Sequence, residues 1–457
     1  MRKTFIILTI LSLALPSAAQ ETHRGPWTLQ ECIRYALAHN ISIQQQQLQV
    51  KQSEIELNTS ENSRLPDLGA GVHESFNFGQ GRSVDNTYIK NSNSTSTSFS
   101  LNTSVPIFQG MRLSNTIKQN RLNLEAATQD LEKAKDDIRV AVARAYVQIL
   151  YSKEILRTAL NQIAIDSLQV ERLAAMEESG KASSAQVAQQ KATLGQSRLS
   201  ATQARNNLNL ALLELSQLLE LPNPEGFDIA RPEAAIDHLL LGSPEDIYAD
   251  AVTNKAVIKA EEIRLDARDY AIRIAKSSFL PTLSASAGLG SSYYTSSRAS
   301  RTYTDPASGA TVVRPLDSFK DQISSNFNQS VGLSLSIPIF SKFQNRNQVR
   351  SAQLHKTYQQ LVLDNARKTL YKEIQQAYYN AVAAQEKYRA SQDAVASARE
   401  SYTLVTEKYE NQKANITEFN EARNAYLASE ANLSQARYEY LYGARLLDFY
   451  RGAELSF

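Results

Sequence analysis

Phe99-Ser100-Leu101-Asn102-Thr103-Ser104-Val105-Pro106-Ile107-Phe108 and Val331-Gly332-Leu333-Ser334-Leu335-Ser336-Ile337-Pro338-Ile339-Phe340 are one ten-residue pattern written twice, 232 residues apart. In both, apolar side chains fill alternate positions, Thr103 being the exception, with Ser, Asn or Gly between most of them. A period of two puts one apolar face and one small polar face on a β-strand, and no helix reads that way. Ten residues is also the length that crosses a hydrocarbon layer at the usual tilt of a membrane barrel strand.

Working outward, each stretch has an upstream partner. Leu68, Ala70 and Val72 alternate after Leu65-Pro66, and Leu283, Ala285, Ala287 and Leu289 alternate after Leu280-Pro281, at an offset of 215. The offset therefore grows by 17 residues between the two landmarks, which an insertion in the second copy's loop explains. The intervening stretches, Gly79 to Ser98 and Ser291 to Asn326, are rich in Ser, Asn and Gly and read as loops.

Downstream of each strand pair the period changes. Leu124, Ala127, Leu131, Ala134, Ile138, Ala141 and Ala145 follow in steps of three and four. Ile374, Ala377, Ala381, Ala384, Tyr388, Ser391, Val395, Ala398, Tyr402, Val405 and Tyr409 do the same in the second copy. This is a coiled-coil seam. No Pro interrupts Gly110 to Met176 or Ser341 to Gln412, so each helix would reach roughly 100 Å at 1.5 Å per residue. A return helix follows each, with Ile416, Phe419, Tyr426, Leu433, Ala436 and Tyr440 as the second seam.

The expected organisation is a signal peptide over 1–20 and a first repeat over 21–221. That repeat has strands near 66–78 and 97–108 and a helical hairpin over 110–219 turning near 177–184. A linker over 222–243 leads to a second repeat over 244–450. Its strands lie near 281–294 and 327–340, its hairpin over 342–448 turns near 410–416, and a tail over 451–457 follows. Arg2 and Lys3, the apolar run Phe5 to Leu15 and Ser17-Ala18-Ala19 have the order of a secretory leader.

Composition narrows the function. The 457 residues carry 49 Lys+Arg against 47 Asp+Glu, with no basic block, which argues against nucleic-acid binding. The single cysteine, Cys32, excludes an intramolecular disulfide and any cysteine metal cluster, and its place in a helical pattern reads as a small buried apolar residue. His23, His39, His73, His238 and His355 are dispersed without ligand spacing. Gly180-Lys181 lacks the glycine of a phosphate-binding loop, and no Ser lies in Gly-x-Ser-x-Gly. Neither an enzyme nor a cofactor is expected.

Four strands are too few to close a barrel, and open edges are prohibitive in lipid. Several copies contributing four strands each solve this; three give twelve, with small polar residues inside and Val, Leu, Ile and Phe towards lipid. The fold class is thus mostly α with a small transmembrane β part. The rival reading is a soluble antiparallel coiled-coil surface or structural protein.

With those residues on the page, the chain resembles the TolC family of outer-membrane efflux proteins. The resemblance is carried by the tandem copies, the Leu-Pro step into the first strand, and Val/Ile-Pro-Ile-Phe leaving the second. A hairpin tip of the Tyr-x-x-Gly-x-x-x type also contributes, here Lys408-Tyr409-Glu410-Asn411-Gln412-Lys413-Ala414-Asn415-Ile416 with Gln412 in the glycine place. It implies a homotrimer in the outer membrane, a shared 12-stranded β-barrel continuous with a periplasmic α-helical tunnel. It also implies docking to a periplasmic adaptor fed by an inner-membrane transporter of the resistance-nodulation-division (RND) or ABC type. The cargo is then drugs, small molecules or metal ions, with type I protein or peptide secretion as the alternative.

The resemblance also implies a periplasmic gate of two acidic residues three apart, which falls on Glu418 and Glu421. The matching positions of the first copy hold Gln186 and Gln189. Gly180, Lys181, Lys413 and Ala414 at the two tips are the candidates for adaptor contact. Two carboxylates about 6 Å apart in water repel by only about 0.7 kcal/mol. A ring of them favours cations and can bind a multivalent blocker, but bonds between helices must hold the gate shut.

Overall fold

A computed structural model describes residues 25–456, apart from 80, 83–87, 90–92, 223–224, 233–241, 297–299, 305–306 and 412. The expected leader, His23, His238, Gln412 and Phe457 lie outside the described residues.

Each copy begins with two helices, α1 (Leu29–His39) and α2 (Ile41–Asn62). A capping box starts α1, Thr28 accepting from the Glu31 amide while Glu31 accepts from the Thr28 amide at 2.8 Å. The strands β1 (Gly69–Asn77) and β4 (Ser94–Gln109) follow, with a two-residue ribbon between them, β2 (Gly81–Arg82) and β3 (Tyr88–Ile89). The first hairpin is α3 (Arg112–Glu178) and α4 (Ser184–Leu218). The second copy repeats this as α5 (Pro244–Asn254), α6 (Ala256–Ser277), β5 (Thr282–Ser296), β6 (Ser300–Thr304), β7 (Thr311–Pro315), α7 (Phe319–Ser325), β8 (Asn328–Ser336), α8 (Gln344–Glu410) and α9 (Ile416–Arg451).

The sheet order is β1-β4-β5-β8, antiparallel throughout, so the copies meet at β4 and β5 and the outer strands are free edges. Registers obey the sequence offsets. Gly69 faces Asn102 in the first copy, and the equivalents Ser284 and Ser334 face each other in the second. Val105 to Phe108 stays paired with β5 through a shift between Pro106 and Phe108. The equivalent end of the second copy lies on a free edge, where β8 stops at Ser336 with no strand beyond it to hold Ile337 to Phe340. Strand pairing at the far end runs deeper into the loops than composition suggests, and α7 occupies part of the second one.

Below the sheet, α2 packs on α3, α3 on α6 and α6 on α8, a row of helices in the same order as the strands. Two apolar cores sit where the short helices meet the long ones. They correspond residue for residue: Cys32, Ala36, Val142, Ala145 and Ile149 match Ile247, Ala251, Ile374, Ala377 and Ala381. Cys32 thus fills the slot that Ile247 fills in the other copy, and burial pushes its thiol up to about 12, out of the reactive range. The segment after α4 returns to the first core, with Trp27 bridging to Ile229 and the Tyr146 hydroxyl donating to the Ala230 carbonyl at 2.6 Å.

At each strand-to-helix turn two residues adopt the left-handed conformation, Gly110 and Met111 in one copy, Lys342 and Phe343 in the other. In the first, a Cβ on Gly110 would lie 2.7 Å from Leu280 Cβ and 2.8 Å from the Ser277 oxygen, so only glycine fits.

Candidate functional site

The site is the far end of the two hairpins, set by helix capping. The chain leaves α3 through Gly180 at φ 73°, and the Lys181 amide donates to the Met176 carbonyl at 2.7 Å. The second tip closes with the equivalent bond, Lys413 to Lys408, also 2.7 Å. Each return helix then starts with a capping box. Ser183 and Gln186 form it on α4, Asn415 and Glu418 on α9. Gln186 and Glu418 are therefore the same structural residue, one neutral and one charged.

This gives the two acidic candidates different duties. The Glu418 carboxylate accepts from the Asn415 side-chain amide at 3.2 Å and the Asn415 backbone at 3.4 Å, and so is held at its own helix start. Glu421 lies three residues on, exposed, as does Gln189 in the first copy. Gly180, Lys181 and Lys413 are exposed and Ala414 is half-buried. No recorded bond ties Glu418 or Glu421 to the first hairpin among the described residues.

The tie between hairpins lies deeper and was invisible in the sequence. Asp166 on α3 and Arg423 on α9, only 0% and 2% exposed, form an ion pair at 2.5 Å. The Asp166 carboxylate also accepts from Gln162 Nε2 at 3.0 Å, Gln190 Nε2 at 3.2 Å and Ser197 Oγ at 2.5 Å. Three helices thus converge on one carboxylate. Gln162 Oε1, Gln190 Oε1 and Arg423 Nε have no partner among the described residues. A buried polar cluster satisfied on only one side holds its helices by direction rather than by net stability. Nearer the tips, Arg172 on α3 meets Glu410 on α8 at 3.3 Å in solvent, a weaker link. From the cluster to the tip, the second hairpin is held together by its aromatic seam, with Tyr402 stacked on Tyr426 at 5.7 Å and Tyr409 on Phe419 at 4.9 Å.

Where α9 ends, partway along α3, Lys255 reaches Asp136 at 3.3 Å and lies 3.6 Å from the Phe449 ring centroid. Burial pulls its ammonium below the usual lysine range, opposed by Asp136. A recess of about 1060 Å³ opens beside it, where α6 begins and α9 ends between α3 and α8. Its walls mix Lys133, Arg144, Asp137, Glu214 and Glu373 without convergence on a point, as a packing gap would.

The sheet completes the geometry. Its apolar face is open: Val331 is 89% and Leu333 72% exposed, and Val72 and Leu335 are also bare. Its other face carries Ser100, Asn102, Ser286, Gly288, Ser330 and Gly332. Among the described residues no helix is long and apolar enough to cross a membrane.

Comparison with known proteins places this geometry. The profile of the family described as outer membrane efflux protein matches residues 32–220 and 247–452, one span in each copy. Outer membrane protein TolC of Escherichia coli (strain K12) is 25% identical over 395 residues, 84% of this chain and 74% of that protein. Among solved structures, the Campylobacter jejuni CmeC outer membrane channel has the same fold, with a TM-score of 0.76 at 18% identity over 94% of this chain and 87% of that one. The open state of the Neisseria gonorrhoeae MtrE outer membrane channel gives 0.70 at 18% identity, over 93% and 88%.

Proposed function

The chain belongs to the outer membrane efflux protein family, and from that premise we infer how its own residues make, line and close a conduit. Three copies form a channel of a tripartite efflux system in the outer membrane, each giving four strands to one 12-stranded barrel and four long helix segments to the tunnel below it. The observation that carries this is the open sheet: two unpaired edges and a bare apolar face are intolerable in water and are both satisfied by ring closure in lipid. The Ser, Asn and Gly face then lines a wet pore.

The helices carry the pore on into the periplasm, where an adaptor and an inner-membrane transporter supply cargo and energy. In this reading the adaptor seats on the exposed tips at Gly180, Lys181, Lys413 and Ala414. The transporter is of the RND or ABC type, moving drugs, small molecules or metal ions, a cargo in keeping with a family of efflux proteins; an RND pump as the genetic neighbour supports efflux, and an ABC exporter there would move the reading to protein or peptide secretion.

The gate is assigned to two layers. Glu421, with Glu418 behind it in its capping box, sets the charge at the entrance. Asp166 and Arg423 hold the second hairpin against the first, so that opening requires their separation. Detergent-purified protein in planar bilayers tests the reading. It predicts a low-conductance, cation-selective resting channel, and a water-soluble monomer without conductance would contradict it.

A further inference from the structure

The insertion of the second copy is not a featureless loop. It places α7 against the end of β5, and three observations say on which side of the barrel wall. Phe319 packs on Tyr293 with centroids 5.1 Å apart and faces Phe99 at 6.4 Å. The Ser291 hydroxyl donates to the Ile323 carbonyl at 2.7 Å. Phe99, Ser291 and Tyr293 share the parity of Leu101, Leu289 and Val105, the apolar face of the sheet, and Phe99 stands directly opposite Ser291. The helix therefore lies against the outer, lipid-facing surface and leaves the Ser, Asn and Gly face clear.

Its attachment to the strand is specific. The last β5–β8 pair is Gly290 with Asn328, so among the described residues the β5 edge beyond it has no strand neighbour. Side chains from α7 and its C-terminal turn take that place. Gln322 accepts from the Tyr294 amide at 2.9 Å and donates to the Tyr294 carbonyl at 3.0 Å, and Asn326 donates to the Ser292 carbonyl at 2.7 Å. Gln322 is buried in doing so. Phe319 and Phe327, by contrast, stay about half exposed, at 52% and 53%.

Depth follows from strand length. Phe99 and Phe108 are nine residues apart on β4, about 30 Å of strand, or about 23 Å across the membrane at a tilt near 40°. That matches the apolar band of such barrels, which aromatic residues border on both sides. Phe108, with Phe340 and Phe343 in the second copy, marks the border next to the helices, and Phe99 marks the far one.

We propose that α7 and the turn after it form an interfacial anchor whose Phe319 and Phe327 sit in the outer leaflet, at the boundary of acyl chains and headgroups, outside the pore. The occupant is lipid, because the surface continues the apolar face of the barrel. The proposal rests on the barrel reading above, and its test separates the two. Trp27, the one tryptophan of the chain, lies in the first helical core, away from the sheet, and gives a constant background.

Trimers carrying Phe319→Trp, or Leu335→Trp in the middle of the apolar band, are reconstituted in phosphatidylcholine vesicles brominated near the headgroup or near the acyl terminus. The added emission of Phe319→Trp is expected to fall roughly twofold more with the shallow bromine than with the deep one, as an interfacial aromatic should. The order is expected to reverse for Leu335→Trp. Quenching of Phe319→Trp by aqueous iodide but by neither bromine, or chiefly by the deep one, overturns the anchor. Loss of bromine quenching in Leu335→Trp overturns the barrel instead. Phe319→Ser is expected to leave single-channel conductance unchanged, whereas an increase would place the helix in the pore and contradict the proposal.

Discussion

Arg423 of the second hairpin meets Asp166 of the first at 2.5 Å, with both side chains withdrawn from water. The pair spans 257 residues of sequence and is the one fully buried charge contact recorded between the hairpins among the described residues. Removing either partner leaves the other charge buried and unpaired, a cost of about 3–5 kcal/mol. Asp166→Asn and Arg423→Ala should each loosen the tips and raise resting single-channel conductance. The apolar double change Asp166→Leu with Arg423→Met should restore closure relative to either single change. Equal conductance in the single variants and the wild type would remove the pair from the gate.

Glu418 and Glu421 should separate in their effects. Glu418→Gln reproduces the Ser183–Gln186 box of the first copy and keeps the cap, whereas Glu418→Ala loses a side-chain cap contact and should cost up to about 1 kcal/mol locally. Glu418→Gln with Glu421→Gln should reduce cation preference, read as the reversal potential under a salt gradient. An unchanged reversal potential would leave both as solvated helix residues.

The two strand-to-helix turns make opposite predictions for one substitution type. Gly110→Ala drives a methyl into Leu280 and the Ser277 carbonyl and should lower the temperature at which trimers dissociate in detergent. Lys342 already holds a left-handed φ of 50° with a side chain. Relieving it through Lys342→Gly should gain up to about 1 kcal/mol and raise that temperature. The same direction of change for both would show that these turns do not limit trimer stability.

Much of the fold was legible because its signals are local. Alternation from Phe99 to Phe108 identifies a strand without knowledge of its neighbours, and repetition at Val331 to Phe340 doubles the inference. The seam from Ile374 to Tyr409 is likewise carried by adjacent turns of one helix, and its Ile374, Ala377, Ala381 and Ala384 are buried. Asp166 and Arg423 gave no such signal. In sequence each is one more charge on a long polar helix, and only packing of α3 against α9 shows them buried. The helix α7 was missed for a related reason: seven residues are too few to show a period, and its position depends on Gln322 finding an unpaired strand edge. Glu418 was legible as an acid near a helix start; its capping bond required the Asn415 geometry.

The central claim is that neighbouring copies seal the barrel by pairing β8 with β1, and the internal repeat fixes the register. Strands β4 and β5 already join the two copies within one chain, with Asn102 opposite Gly288. Shifting each by its repeat offset places Ser334 opposite His73 of the next copy. These residues lie on opposite edge strands of the sheet, too far apart to join within one chain. The direct measurement is oxidative cross-linking of Ser334→Cys with His73→Cys in membranes, with Cys32 buried and inert. The account predicts covalent dimers and trimers from the double variant, none from either single variant, and little from Ser334→Cys paired with Ser75→Cys, two residues out of register. Monomers alone, or stronger cross-linking in the shifted pair, would contradict it.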